Sequence, residues 1–272
     1  MTYYICQTCG IQFTESEAPP ASCPICEDER QYVAWAGQQW TTLAALQATH
    51  HNRFETREPG LTGIVTVPRF AIGQRGLLIQ TPEGNILWDC ISLIDEMTIT
   101  TIEALGGISA IAISHPHYYS TSVEWSRTFD APLYLHAADQ AWVMRPDPAI
   151  QVWEGDTHTL GEGLTLIRCG GHFAGGTVLH WADGAEGRGA LLTGDILQVV
   201  EDRRYVSFMY SYPNYIPLPA KTVQGIVDLL DPFAYDRIYG AFWDKVIPTN
   251  AKENVAFSAR RYINALEGVF NG

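Results

Sequence analysis

Four cysteines within the first 26 residues stand as two pairs, Cys6-Gln7-Thr8-Cys9 and Cys23-Pro24-Ile25-Cys26. A two-residue spacer lets both sulfurs of a pair face one cation. The 13 residues between the pairs suffice for a hairpin that closes a tetrahedral four-cysteine site. Gly10 directly after the first pair can supply the positive φ that turns backbone amides towards the sulfurs. A ribbon this small cannot fold on apolar burial alone, so metal binding is its folding energy. Two disulfides are the other use of such a set. The first basic side chain is Arg30, which speaks against a secretory leader, so metal, a cytoplasmic location and reduced Cys90 and Cys169 are expected.

A second set of ligand types lies at three predicted strand ends. Ser114-His115-Pro116-His117-Tyr118-Tyr119-Ser120 places two imidazoles just after the apolar run Ala110–Ser114. Gly170-Gly171-His172-Phe173-Ala174-Gly175-Gly176 presents a third in a glycine-rich loop, and Leu191-Leu192-Thr193-Gly194-Asp195 ends on a carboxylate. Three neutral imidazoles leave a zinc ion its full charge and an open position, where water has a pKa near ~7. Such a centre attacks carbonyl or phosphoryl carbon and phosphorus at neutral pH. Asp195 is either the fourth ligand or the group that orients the water and takes its proton, and the two roles compete. Tyr119 could offer its phenol to developing negative charge, with local packing as the alternative. For the histidines the alternative is a structural role in the core or at a helix cap.

The elements that must carry these residues follow from period and punctuation. Residues 1–40 are expected to form the ribbon and its linker, and residues 41–272 the main domain. Thr41-Thr42 caps a short helix carrying Leu43 and Leu46, within an otherwise irregular bridge from Gln31 to Gly60. Strands are expected over Leu61–Val67, Ile72–Gln80, Ile86–Asp89, Ala110–Ser114, Pro132–His136, Thr157–Leu160, Leu164–Cys169, Gly189–Thr193 and Asp236–Tyr239. Helices are expected over Met97–Leu105, Ala137–Met144, Ala220–Leu230 and Lys252–Leu266, with Thr121-x-x-Glu124 as a capping box for one more. Ser207–Pro219, rich in proline and aromatics, reads as an ordered loop, and with Phe242 and Trp243 it either walls a substrate pocket or packs on the core.

In His115, His117, the glycine-flanked His172, Thr193-Gly194-Asp195 and the strand end Leu87-Trp88-Asp89, the chain resembles the metallo-β-lactamase fold superfamily of metallohydrolases. The resemblance runs from about Leu61 to the C-terminus. It implies an α/β fold, a four-layer αβ/βα sandwich with a metal centre at one edge. The four-cysteine segment is similar to rubredoxin-like zinc ribbons. The departures concern a second metal. Where the superfamily motif continues with Asp-His, this chain has Tyr119-Ser120. Where its last histidine is expected, after Arg237–Gly240, stand Ala241, Phe242 and Trp243. A mononuclear three-histidine site is therefore expected.

The function that follows is hydrolysis of a small-molecule ester, lactone, amide or phosphoester by one zinc, with a second, structural zinc in the ribbon. The alternative is a catalytically degenerate metal-binding sensor or interaction protein. Iron is the other metal considered, since the superfamily includes flavodiiron oxygen reductases, but these need a flavin domain that has no counterpart here. Lys and Arg number 17 against 30 Asp and Glu, a net charge of −13 that repels phosphate backbones, so no nucleic-acid partner is expected. The uncharged run Ala104–Val123 holds two histidines and a proline, so no membrane span is expected either. A homo-oligomer is left open. The ribbon is expected to dock on the main domain or on a second subunit, and Cys9→Ser to lower stability before it touches the chemistry.

Overall fold

The computed structural model describes residues 1–269. The chain divides into two compact units, Met1–Trp153 and Glu154–Gly272.

The first unit is built on a seven-stranded sheet whose strands neighbour one another in chain order: His51–Glu58, Leu61–Val67, Gly76–Ile79, Ile86–Trp88, Ala110–Ala112, Leu133–His136 and Ile150–Trp153. The first four pair antiparallel. The last three junctions are parallel and need crossovers, which the helices Glu96–Ala104 and Ser122–Phe129 and the 3-10 segment Ala137–Trp142 supply. Leu78, Ile79, Leu87, Ile111 and Leu133 are buried, as strands covered on both faces must be. The Asp95 carboxylate caps the helix Glu96–Ala104 through the Thr98 amide, and Gly106 and Gly107 stop it in positive-φ conformations.

The ribbon belongs to this unit. Ile5–Cys6 pairs with Trp40–Thr41, and Pro24–Glu27 forms one helical turn that starts at Cys23. Gly10 adopts φ +82°, and a Cβ there would lie 2.4 Å from Ser92 Oγ. Gly10→Ala is therefore expected to destabilise the protein by about 2 kcal/mol, read as a lower urea midpoint at unchanged slope.

The second unit has a six-stranded sheet in the order Thr157–Gly161, Leu164–Arg168, Thr177–Trp181, Ala190–Gly194, Arg237–Gly240 and Val246–Ile247. Only the junction between Ala190–Gly194 and Arg237–Gly240 is parallel, with Gly194 opposite Gly240. The helices Ala220–Leu230 and Ala251–Leu266 carry Val223, Ile226, Leu230, Val255 and Ala259 into one core with Ile167, Val178, Leu191 and Ile238. That core holds 0 to 2% exposure at each of these positions, the main apolar stabilisation of the unit.

Four local expectations are corrected. Thr121 does not cap its helix. Its hydroxyl donates instead to the carbonyls of Ile91 and Ser92, and Glu124 accepts from Gln12 and Arg145, so tertiary partners replace the local box. Within Ser207–Pro219, Met209–Ser211 pairs with Ile216–Pro217 as a small hairpin rather than a loop without elements. The bridge from Gln31 to Gly60 contains, besides the expected helix Leu43–Gln47, the strand His51–Glu58. Ala137–Trp142 is a 3-10 segment, tighter than the expected α-helix.

Candidate metal centres

The four cysteines are buried and close on one another, with Cys6 Sγ and Cys26 Sγ 3.6 Å apart and Cys9 Sγ and Cys23 Sγ also 3.6 Å apart. Four sulfurs at ~2.3 Å from one ion in a tetrahedron are separated by about 3.8 Å, so the set fits a metal of that size. Gln38 Nε2 donates to Cys6 Sγ at 3.0 Å, as a thiolate acceptor requires. Hydrogen bonds from Cys23, Cys26 and Cys9 push the Cys6 thiol far down. Burial pushes Cys9 up, and the bonds with Cys23 and Cys6 push Cys26 up. Four buried sulfurs cannot all hold negative charge without a cation among them.

His115, His117, His172 and Asp195 form the second group. Each is buried and offers one ligand atom, and these four atoms lie within 4.8 Å of one another. In the first unit, His115 directly follows the strand and its crossover loop, at the start of the 3-10 turn Pro116–Tyr118 that carries His117. The rings of His115 and His117 lie 5.1 Å apart, centroid to centroid. Asp89 ends the neighbouring parallel strand with φ +57° and accepts the Ser114 amide on Oδ1 at 2.8 Å, which fixes where the His115 loop leaves the sheet. Ser114 Oγ lies 2.8 Å from His115 Nδ1 and engages that nitrogen. With Nδ1 held by a serine, Nε2 is the atom that His115 can offer to a metal.

In the second unit, His172 follows two positive-φ glycines, Gly170 and Gly171. Its Nδ1 meets the Tyr210 carbonyl at 2.8 Å and the Met209 carbonyl at 3.2 Å, acceptors that keep the proton on Nδ1 and leave Nε2 for a ligand. Asp195 follows Ala190–Gly194, and Tyr212 donates its hydroxyl to the Asp195 carbonyl at 2.9 Å. The Tyr212 ring stands 5.7 Å from the His172 ring. Three imidazoles and a carboxylate are the donor set that suits zinc or a similar divalent ion.

The other sequence-selected residues fall outside this group. Tyr119 is buried in the first unit and lines a small cavity with Ile11, Gln12, Leu133, Leu135 and Arg145. Burial, with Asp139 near it, pushes its hydroxyl well above the usual range, and these surroundings favour the packing role. His136 Nδ1 accepts the Ala138 amide and its ring meets Trp153 edge-on, so it is structural. His180 meets the Ala234 carbonyl, and burial lowers its basicity. Phe208 is part of the core of the second unit, while Tyr215 is 85% exposed. Burial pushes the Cys169 thiol up to about 12, an inert thiol.

Sequence reasoning missed Ser114 as the partner of His115, and the hairpin carbonyls that hold His172. Ser114 was legible as a hydroxyl beside a ligand. The carbonyls of Met209 and Tyr210 carry no side-chain signature.

No family model matches the chain. YmaE of Bacillus subtilis (strain 168), an uncharacterized protein, is 53% identical over 268 residues, covering 98% of this chain and 97% of YmaE. Among solved structures, VMB-1 superposes with a TM-score of 0.59 at 11% identity, covering 79% of this chain and 98% of that one. The metallo-β-lactamase FIM-1 from Pseudomonas aeruginosa, in its mono-zinc form, gives 0.59 at 13% identity over 77% of this chain and 95% of that one. The metallo-β-lactamase DIM-1 gives 0.58 at 12% identity over 80% and 98%. At such identities the likeness carries the fold and not the substrate. The chain has the metallo-β-lactamase fold, with a four-cysteine cluster near its N-terminus, and it belongs to the family of Bacillus subtilis YmaE.

Proposed function

We propose that the protein is a metal-dependent hydrolase, with zinc held by His115, His117 and His172, Asp195 beside it as the base for the attacking water, and a structural zinc in a rubredoxin-like ribbon at Cys6, Cys9, Cys23 and Cys26. The observation that carries this reading is the grouping of three buried imidazoles and one carboxylate at strand ends of a metallo-β-lactamase fold. In this reading residues 1–40 are the ribbon and its linker, residues 41–272 the hydrolase domain, and the setting is cytoplasmic. The substrate is a small ester, lactone, amide or phosphoester. A net charge of −13 favours an uncharged or weakly charged one and disfavours nucleic acid. Among the described residues no helix is long and apolar enough to cross a membrane.

When bound, the dication supplies a Lewis acid and a nucleophile at neutral pH. The chain's residues do the rest. The three imidazoles would hold the dication as neutral ligands, His115 and His172 through Nε2. Ser114 and the Tyr210 carbonyl hold the opposite nitrogens, so neither ring turns away. The Asp195 carboxylate orients the attacking water, accepts its proton and returns it to the leaving group. Tyr212 anchors the Asp195 peptide so that the carboxylate keeps its direction. FIM-1 has been solved with one zinc, a precedent for mononuclear occupancy in this fold. At the positions where a second metal would be bound, Tyr119-Ser120 and Ala241-Phe242-Trp243 offer no nitrogen or carboxylate ligands.

The second reading is a binding protein without turnover, which the loss of the second ligand set favours. Zinc-loaded protein assayed on esters, lactones, β-lactams, amides and phosphoesters separates the two when Asp195→Asn is included. A hydrolase loses turnover in Asp195→Asn while keeping its metal. A binding protein, in which Asp195 closes the fourth position, shows no turnover on any substrate class and releases metal in Asp195→Asn.

A further inference from the structure

The ribbon is keyed into the two loops that set the histidine site. Gln12, on the strand segment leaving the Cys6–Cys9 knuckle, bridges to Ile5 and is 3% exposed. Its amide donates to the Ser120 carbonyl at 3.0 Å. Its side chain donates to Glu124 Oε1 at 3.1 Å and accepts from Arg145. Ser120 is three residues beyond His117, with only the end of a 3-10 turn between them. It holds φ +44°, a left-handed conformation that is strained for a non-glycine residue and persists only when its surroundings impose it. The impositions are visible. Ser120 Oγ donates to the Cys90 carbonyl and accepts from Gln74, while its own carbonyl is taken by the ribbon.

The second key is Gly10. Its carbonyl accepts Ser92 Oγ at 2.8 Å, and Ser92 is three residues beyond Asp89, the carboxylate that positions Ser114 and through it His115. The knuckle that carries the key is itself closed on the metal-binding sulfurs, with the Gly10 amide on the Cys6 carbonyl and the Cys6 amide on the Ile11 carbonyl. Ser120, one of the two positions at which the superfamily motif carries second-metal ligands, is thus used here to seat the ribbon, and Tyr119 lines the cavity beside Ile11 and Gln12.

We propose that the four-cysteine centre and the histidine centre are energetically coupled, with Gln12 as the positioning residue between them: a metal-filled ribbon holds Ser120 left-handed and keeps His115 and His117 directed at one ion. This rests on the metal site assigned above. A filled ribbon raises the affinity of the histidine site, and by linkage a filled histidine site raises that of the ribbon by the same factor. No such reciprocity arises if the ribbon is merely a stable appendage.

The test uses full-length protein with zinc in the ribbon and cobalt(II) titrated into the histidine site. Cobalt among imidazoles is read by its visible bands, and cobalt in the ribbon by thiolate charge transfer in the near ultraviolet. In Gln12→Pro, which lacks the amide that the Ser120 carbonyl accepts, and with ribbon zinc retained, the cobalt dissociation constant of the histidine site is expected to rise ~10–100-fold, the range for loss of an outer-shell partner. In wild-type protein, filling the histidine site is expected to raise ribbon zinc affinity, measured by chelator competition, by the factor that filling the ribbon raises cobalt affinity. Should Gln12→Pro fail to fold, the wild-type reciprocity decides alone. A histidine site that binds cobalt with affinity within twofold of wild type in Gln12→Pro, or is indifferent to ribbon occupancy, overturns the coupling and leaves the hydrolase reading intact. A wild-type histidine site that takes no cobalt overturns both.

Discussion

His117→Ala is expected to lower hydrolysis of the best substrate by at least about 100-fold and to remove one metal ion per chain while the ribbon keeps its own. His117 lies in the turn Pro116–Tyr118, is 3% exposed, and its ring faces that of His115 at 5.1 Å. Removing it leaves two of the three imidazoles, one ligand short of the set. Stability reports the same event without any substrate. An ion bound only to the folded state adds about 2.7 kcal/mol when present at 100 times its dissociation constant. Zinc should raise the melting temperature of wild type through both centres and that of His117→Ala through the ribbon alone. Turnover that survives His117→Ala, or survives removal of all metal by chelation, would contradict the mechanism.

Cys9→Ser is expected to lower the unfolding free energy by more than about 4 kcal/mol, the loss of a structural metal being one of the few single changes of that size. Cys9 is fully buried with its sulfur 3.6 Å from that of Cys23, so a hydroxyl there also leaves a buried polar group in poor company. The sequence alone suggested that stability would fall before the chemistry. On the coupling proposed above, the histidine site is expected to weaken in the same variant, since Gly10 and Gln12 dock on Ser92 and Ser120. Denaturant unfolding followed by cobalt titration reads the two losses separately. A Cys9→Ser protein as stable as wild type would show that the four sulfurs hold no ion.

The four residues of the candidate histidine centre were legible because each breaks a pattern. His115, His117, His172 and Asp195 are polar residues set just after apolar runs and beside proline or glycine, where a strand must end and a side chain can turn back on the sheet edge. The strand Leu61–Val67 and the helix Ala220–Leu230 appear as read, since β-branched alternation and 3.6-residue spacing leave little choice. His51–Glu58 was hidden for the opposite reason. As the edge strand of its sheet it carries charge and hydroxyls at most positions and has no apolar run to betray it. The capping box at Thr121 failed because a local motif cannot show that the carbonyls of Ile91 and Ser92 compete for the hydroxyl. The seating of the ribbon was equally invisible, since Gln12 and Ser120 are joined through backbone atoms 108 residues apart in sequence.

Metal content by mass spectrometry under native conditions tests the central claim most directly, in zinc-replete protein and in a His117→Ala, His172→Ala double variant. Two ions in the first and one in the second are predicted, the survivor being the one held by sulfur. A single ion in both would contradict the histidine centre, and three in the wild type would contradict its mononuclear character.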